Sequence, residues 1–314
     1  MTEISSVVIV GAGGMGALFG SILQAGGMQV TLVDTSTEHV TAMQQHGLRI
    51  IGFGGERTVS VDARMDASSI DQADLVLFQC KSQGTRSAVQ GVGHLVEGGA
   101  LCLSFQNGLG NEDVIGEVVG PGNVLGGLTA MAAVLERPGH IRDFSRVPSS
   151  IGEMGGGASD RAAAIAEALT KAGLETHVSE DVTRDIWKKL LGNIAMSAAS
   201  GATNMTSVEV LAVPELKATA LRALDEAYAV ASASGVKLDR HAAIAGLEMI
   251  TAPGGTGDNK SSLCVDLLNG RETEVDFIYG SVIKMGRKIG VPTPTLETLA
   301  AIVKGLEARN RGIE

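Results

Sequence analysis

The sequence predicts a mixed α/β protein in two parts: a parallel sheet with helices on both faces, followed by an all-helical region. Short β-branched, apolar runs alternate with helix-like segments through the first half, the pattern of strands joined by crossover helices. A glycine-rich turn, Gly11-Ala12-Gly13-Gly14-Met15-Gly16, separates the first strand-like run from the first helix-like segment. From Thr183 onward strand signals vanish and long helical patterns take over. Near Thr176 to Asp181 the character changes, so the expected division is 1–178 and 179–314.

Ser6 to Val10 reads as a buried strand, Ala17 to Ala25 as a helix stopped at Gly26-Gly27, and Gln29 to Val33 as a second strand. Strand, glycine-rich turn, helix and strand in about thirty residues is the setting of a Rossmann-like dinucleotide-binding fingerprint. Gly11 allows the tight turn, Gly13 lets backbone approach a pyrophosphate, and Gly16 lets the helix pack on the strand. The helix N-terminus offers N–H groups and a positive dipole end to phosphate. Asp34 ends the second strand and can accept both ribose hydroxyl hydrogens of NAD, whereas it repels the 2′-phosphate of NADP. Thr35 to Glu38 contains no cation, so NAD(H) is favoured and NADP(H) is less so. The other reading of Asp34 is a cap for the next helix, a role that Ser36 and Thr37 fit equally well.

Leu75 to Phe78, Ala100 to Ser104 and Val124 to Gly126 read as further strands, with helices over Thr85 to Leu95 and Asn111 to Val119. Arg49 to Ile51 and Thr58 to Val61 form one expected hairpin; Thr129 to Leu135 and His140 to Phe144 form another around Pro138-Gly139. A helix over Ala162 to Ala172 stops at Gly173. The helical half carries patterns over Thr183 to Met196, Pro214 to Ser234, His241 to Met249 and Thr273 to Lys288.

A formal net charge of −10 argues against nucleic acid and acidic membranes as partners. The start lacks a cationic n-region, and no run of about eighteen apolar residues exists, so neither a secretory signal nor a membrane span is read. Cys80, Cys102 and Cys264 are odd in number and widely spaced, as free thiols of a reducing cytoplasm would be. The His residues show no ligand spacing, and no metal site is expected.

Ligands of such sheets bind beyond the carboxyl ends of the strands, which draws attention to Lys81 and Asn107. Asn107 can hydrogen-bond a ribose or carboxamide, and Lys81 can place positive charge near a cofactor or a carboxylate. An Asn-Gly turn and a solvated lysine are their plainer readings. In the helical half Lys189, Asn193 and Ser197 recur every four residues on one face of an otherwise apolar stretch. Such a stripe is costly unless it lines a polar site, and a protonated lysine there can serve as general acid toward a ketone oxygen. Alternatively Lys189 snorkels to water. Ser261 or Ser262 can cap one helix and Thr273 the next, and Asn269-Gly270 lets the chain turn between them. That turn predicts one helix from near Ser262 to near Leu268 and another from about Thr273.

The glycine-rich turn, Cys-Lys-Ser at 80–82, Gln-Asn-Gly-Leu-Gly at 106–110, Trp-Lys-Lys-Leu-Leu-Gly-Asn at 187–193 and the run from Ser261 to Asp276 together resemble the ketopantoate reductase (2-dehydropantoate 2-reductase) family. These motifs stand in the family's order over residues 7 to about 290. The resemblance implies that Lys189 is the general acid and Glu274 the carboxylate that hydrogen-bonds a substrate hydroxyl. It implies that Asn193 and Ser262 contact substrate, as Ser197 one turn beyond Asn193 and Asn107 are also expected to do, and that Asn107 and Lys81 serve the cofactor and the hydride-transfer site. Three positions depart from the pattern. Ser197 stands where the family commonly has a second Asn, Gly201 to Ser207 departs from the usual Asn-Gly-containing loop, and Asp34 stands near a position where many members, which use NADPH, carry a basic residue.

The expected protein is therefore a cytoplasmic oxidoreductase reducing a small 2-oxo acid with NAD(H). Alternatives are an NAD-dependent dehydrogenase of pantoate or a related hydroxy acid, and a non-catalytic NAD-binding sensor. Oligomeric state, with a homodimer among the options, is left open by the sequence.

Overall fold

A computed structural model of the chain describes residues 4–252 and 257–312. Two compact units divide it: the chain up to Gln106 together with Asn111–Thr183, and the chain from Arg184 onward together with Asn107–Gly110.

The first unit contains β1 (Ser6–Val10), β2 (Gln29–Val33), β3 (Leu48–Gly52), β4 (Arg57–Val59), β5 (Asp62–Arg64) and β6 (Leu75–Phe78). It continues with β7 (Leu101–Ser104), β8 (Val124–Leu128), β9 (Ala132–Arg137), β10 (His140–Ser145), β11 (Ser149–Glu153) and β12 (Thr176–Val178). Its helices are α1 (Gly14–Ala25), α2 (Thr37–His46), α3 (Thr85–Glu97), α4 (Asn111–Val119) and α5 (Asp160–Lys171). Eight strands form one sheet in the order β12-β11-β8-β7-β6-β1-β2-β5, parallel except for the β8–β11 pair. Both faces of this sheet are covered, which explains its unbroken apolar runs. Val7 and Ile9 enter one core with Leu18, Phe19 and Leu23 of α1. Val8 and Val10 enter the other with Val89, Val92 and Leu95 of α3.

The two hairpins expected from the sequence form, but they share a second sheet, β4-β3-β10-β9, in which β3 and β10 pair in parallel. That pairing joins residues about ninety positions apart, beyond the reach of local periodicity. Neither β5 nor β12 exceeds three residues, and β11 has one large apolar side chain, Ile151, so none of the three announces itself.

Helices make up the remainder: α6 (Val182–Thr203), α7 (Ser207–Ala212), α8 (Pro214–Ala233), α9 (Arg240–Thr251), α10 (Ser262–Leu268), α11 (Ser281–Ile289) and α12 (Pro294–Asn310). A wide π-helical turn, Asp276–Gly280, leads directly into α11. Trp187, Leu190, Leu191 and Ile194 of α6 pack against Ala223, Leu224 and Ala227 of α8 and Val282 of α11. Beyond the Met196 end expected from the sequence, α6 runs on through small residues. A Cβ on Gly201 would meet the Leu263 side chain at 2.7 Å, so the close packing of α10 depends on that glycine. Asn204, at φ 60°, then ends the helix, and Thr206 and Glu209 form a capping box for α7. This resolves the Gly201 to Ser207 segment as a helix end and the next helix start.

Candidate active site

In the first unit the glycine-rich turn is built around one peptide. Gly11 has φ +95°, and a side chain there would collide with the Cys80 backbone. A Cβ on Gly16 would lie 1.9 Å from the Gly11 carbonyl, so the first turn of α1 needs a glycine there. Gly14 is required for a different reason: β9 passes so close that a Cβ would stand 2.6 Å from the Ala133 carbonyl. Met15 is half-buried against the first core.

Ala12 is held at both ends of its backbone. Its N–H donates to Asp34 Oδ2 at 2.9 Å, while Asp34 Oδ1 accepts the Ser36 N–H at 2.9 Å. The cap of α2 is Ser36, whose hydroxyl accepts the His39 N–H. His39, 1 % exposed, holds the Ala12 carbonyl. Its Nδ1 accepts the Gly139 N–H at 2.9 Å, which leaves Nε2 to carry the hydrogen and donate to Ala12 at 2.8 Å. The sequence reading missed His39, because a lone histidine in a helix looks like any other.

The residues suit a dinucleotide. A Cβ on Gly13 would meet nothing within 4 Å, so the backbone there faces open space. No side chain caps the N-terminus of α1, and no acidic residue stands in its first turn. At the carboxyl end of β6, beside Gly16, the buried Gln79 Nε2 has no hydrogen-bond partner. Open space, uncapped helix N–H groups and an orphaned buried donor are the fittings of an anionic ligand. Lys81 is exposed just beyond β6, where its carbonyl accepts the Gly84 N–H at 2.8 Å.

In the second unit three predicted residues come together. The Lys189 Nζ donates to Asn107 Oδ1 at 2.9 Å, and Asn107 Nδ2 donates to Glu274 Oε2 at 3.4 Å. Lysine only donates and a carboxylate only accepts, so the carboxamide has one orientation that satisfies both. Burial lowers the Lys189 ammonium to about 8, and the charge of Glu274 opposes that shift. Glu274 is 5 % exposed. Lysine near neutrality, with a carboxylate at hand, is a proton donor and acceptor in one group.

The remaining predicted residues are distributed unevenly. Asn193 is half-buried one turn along α6. Ser197 is buried at 3 %, and its carbonyl accepts the Ser261 hydroxyl at 3.4 Å. Ser262 is exposed, and the cap of α10 is Ser261, whose hydroxyl accepts the Cys264 N–H. The helix ends at Leu268, as the Asn269-Gly270 signal predicts. Thr273 accepts the Val275 N–H at 3.2 Å, but the next helical turn is the wide one and not a regular α-helix. Among the described residues no group of His, Cys, Asp and Glu could hold a metal ion, and no helix is long and apolar enough to cross a membrane.

Comparison with known proteins agrees with both halves. The family model for ketopantoate reductase PanE/ApbA matches residues 7–156, and the model for its C-terminal part matches residues 181–307. A 2-dehydropantoate 2-reductase of Halobacterium salinarum is 33% identical over 299 residues, covering 95% of this chain and 97% of its own. The PanE/ApbA family ketopantoate reductase of Ralstonia eutropha JMP134 superposes with a TM-score of 0.88 at 30% identity, over 97% of this chain and 99% of that one. D-mandelate dehydrogenase with NADH and anilino(oxo)acetate gives a TM-score of 0.92 at 28% identity, with 97% and 99% covered. A glycine-rich dinucleotide cradle followed by a Lys–Asn–Glu constellation, matched along nearly the whole chain, places this protein in the ketopantoate reductase family.

Proposed function

We propose that this protein reduces ketopantoate to pantoate, drawing its hydride from NADH in preference to NADPH. The observation that carries the reading is the Lys189 ammonium held on Asn107 beside Glu274. When bound, the reduced nicotinamide supplies a hydride to the ketone carbon. Lys189 protonates the ketone oxygen as negative charge develops there, and the C–O double bond becomes the C–OH of the product. Glu274 accepts a hydrogen bond from a substrate or product hydroxyl. Asn107 bridges the two charged groups, accepting from the ammonium and donating to the carboxylate. Asn193 supports the substrate one turn away. Initial rates with ketopantoate under NADH and under NADPH test the reading directly; no turnover with either dinucleotide would overturn it.

Asp34 supports the preference for NADH, since a carboxylate at the end of β2 repels the 2′-phosphate of NADPH. It also grips the Ala12 N–H, so changing it alters the turn as well as the charge. Asp34→Ala with Thr35→Arg is expected to shift the NADPH-to-NADH preference ratio by at least about tenfold, while total activity with either falls. A wild-type rate higher with NADPH would refute the preference.

His39→Ala leaves the buried Ala12 carbonyl without its donor, a loss of about 1–3 kcal/mol. NADH affinity, measured by fluorescence titration, is expected to weaken about tenfold. The KM for the oxo acid at saturating NADH is expected to hold.

A second reading has a specific observation behind it. The similarity to D-mandelate dehydrogenase with NADH, together with Asp34 and with Ser197 in place of a second Asn, favours oxidation of a 2-hydroxy acid by NAD. A panel of 2-oxo and 2-hydroxy acids assayed in both directions separates the two.

A further inference from the structure

Tyr279 is fully buried in the π-helical turn, and its hydroxyl enters the backbone of α6. It donates to the Ile194 carbonyl at 2.6 Å and accepts the Ala198 N–H at 3.0 Å. Those two groups are four residues apart, the pair that a regular α-helix joins directly. Both groups of that rung are thus engaged by one side chain from the π-turn. The rung lies just past Asn193 and Ser197, on the helix that carries Lys189.

The same wide turn holds the other site residues. Glu274 precedes it, and the Glu274 carbonyl accepts the Phe277 and Ile278 N–H groups at its start. Both polar groups of the Leu109 peptide are taken by it: the Leu109 N–H donates to the Phe277 carbonyl at 2.9 Å, and the Ser281 hydroxyl donates to the Leu109 carbonyl at 2.7 Å. Gly108, at φ +91°, presses on Phe277 so closely that a Cβ would stand 2.7 Å from it. Lys189, Asn107 and Glu274 come from three separate stretches of chain, and one turn touches all three stretches. π-turns of this kind concentrate at functional sites.

We infer that Tyr279 is a positioning residue for the reaction: its hydroxyl, through the π-turn, fixes α6 against Glu274 and the Asn107 loop so that Lys189, Asn107 and Glu274 meet. The inference rests on the reading of these three residues as the site of 2-oxo acid reduction.

The test is Tyr279→Phe in the full chain, which removes one oxygen and leaves the ring to fill the core. Relative to wild type, kcat/KM for ketopantoate with NADH is expected to fall about tenfold or more, while NADH affinity stays within about twofold. Ser281→Ala, which frees the Leu109 carbonyl, is expected to move the same ratio in the same direction and decides the matter if Tyr279→Phe does not fold. An unchanged kcat/KM in a folded variant overturns the inference; so does a parallel loss of NADH affinity and Tm, the mark of general loosening. If the wild type reduces no 2-oxo acid, the functional reading fails by itself. The crystal structure of Tyr279→Phe then decides: a lost Lys189–Asn107 hydrogen bond upholds the positioning role, and a retained one ends it.

Discussion

Lys189→Ala is expected to reduce the 2-oxo acid about 10²–10⁴-fold more slowly than wild type, the span that a positioned general acid supplies. Binding of NADH is expected to be unaffected, because the lysine belongs to the second unit and the dinucleotide fittings to the first. Folding should survive as well, since the change removes a charge that burial already disfavours. A loss smaller than about tenfold would count against the role. The sign of the pH dependence follows from the ammonium at about 8. Reduction needs Lys189 protonated, so its rate should be flat below that value and decline as pH rises through it. Oxidation of the hydroxy acid needs the free amine, so its rate should climb over the same interval and level off above. Lys189→Arg, whose charge persists at every accessible pH, is expected to be slow and to lose that alkaline fall.

Two alanines in the glycine-rich turn should fail in different ways. Gly16→Ala drives a Cβ to 1.9 Å from the Gly11 carbonyl, a clash with backbone that no rotamer change relieves. The variant is expected to lose about 3 kcal/mol of stability, the upper part of the range for overpacking, together with dinucleotide binding. Gly13→Ala meets no protein atom within 4 Å, and its φ of −58° suits any residue. It should melt like wild type yet bind NADH more than about tenfold more weakly, because the added methyl occupies the ligand's space. Thermal melts read beside NADH titrations separate the pair. Wild-type affinity in Gly13→Ala would place the phosphates elsewhere.

Much of this was legible because it is local. The β1–turn–α1–β2 unit follows from one apolar run, three glycines and a carboxylate, each acting within a few residues. The polar stripe on α6 follows from a four-residue period, and the break at Asn269-Gly270 from turn chemistry. What escaped is long-range. Nothing near Asn107 says that its carboxamide will lie between Lys189 and Glu274, 82 and 167 residues away. His39 and Tyr279 look like an ordinary helical histidine and a core aromatic until their backbone partners are known. Regular patterning expects an α-helix from Thr273, and periodicity is blind to the extra residue that widens its first turn. The sequence left the cap of α10 open between Ser261 and Ser262, and the fold gives it to Ser261.

Asn107–Gly110 groups with the helices of the second unit although in the chain it lies between β7 and α4 of the sheet unit. The helical unit is therefore not heritable as a single stretch of sequence. A fragment beginning at Arg184 would carry Lys189 and Glu274 but no carboxamide to join them, and the π-turn would have no Leu109 peptide to hold. Grafting the helical half of one relative onto the sheet half of another would splice two lineages at Asn107, with the loop from one parent and its receiving turn from the other. Recombination between distant members should thus give active hybrids only where the 107–110 loop travels with the C-terminal half. For inheritance, this enzyme is one module in two pieces.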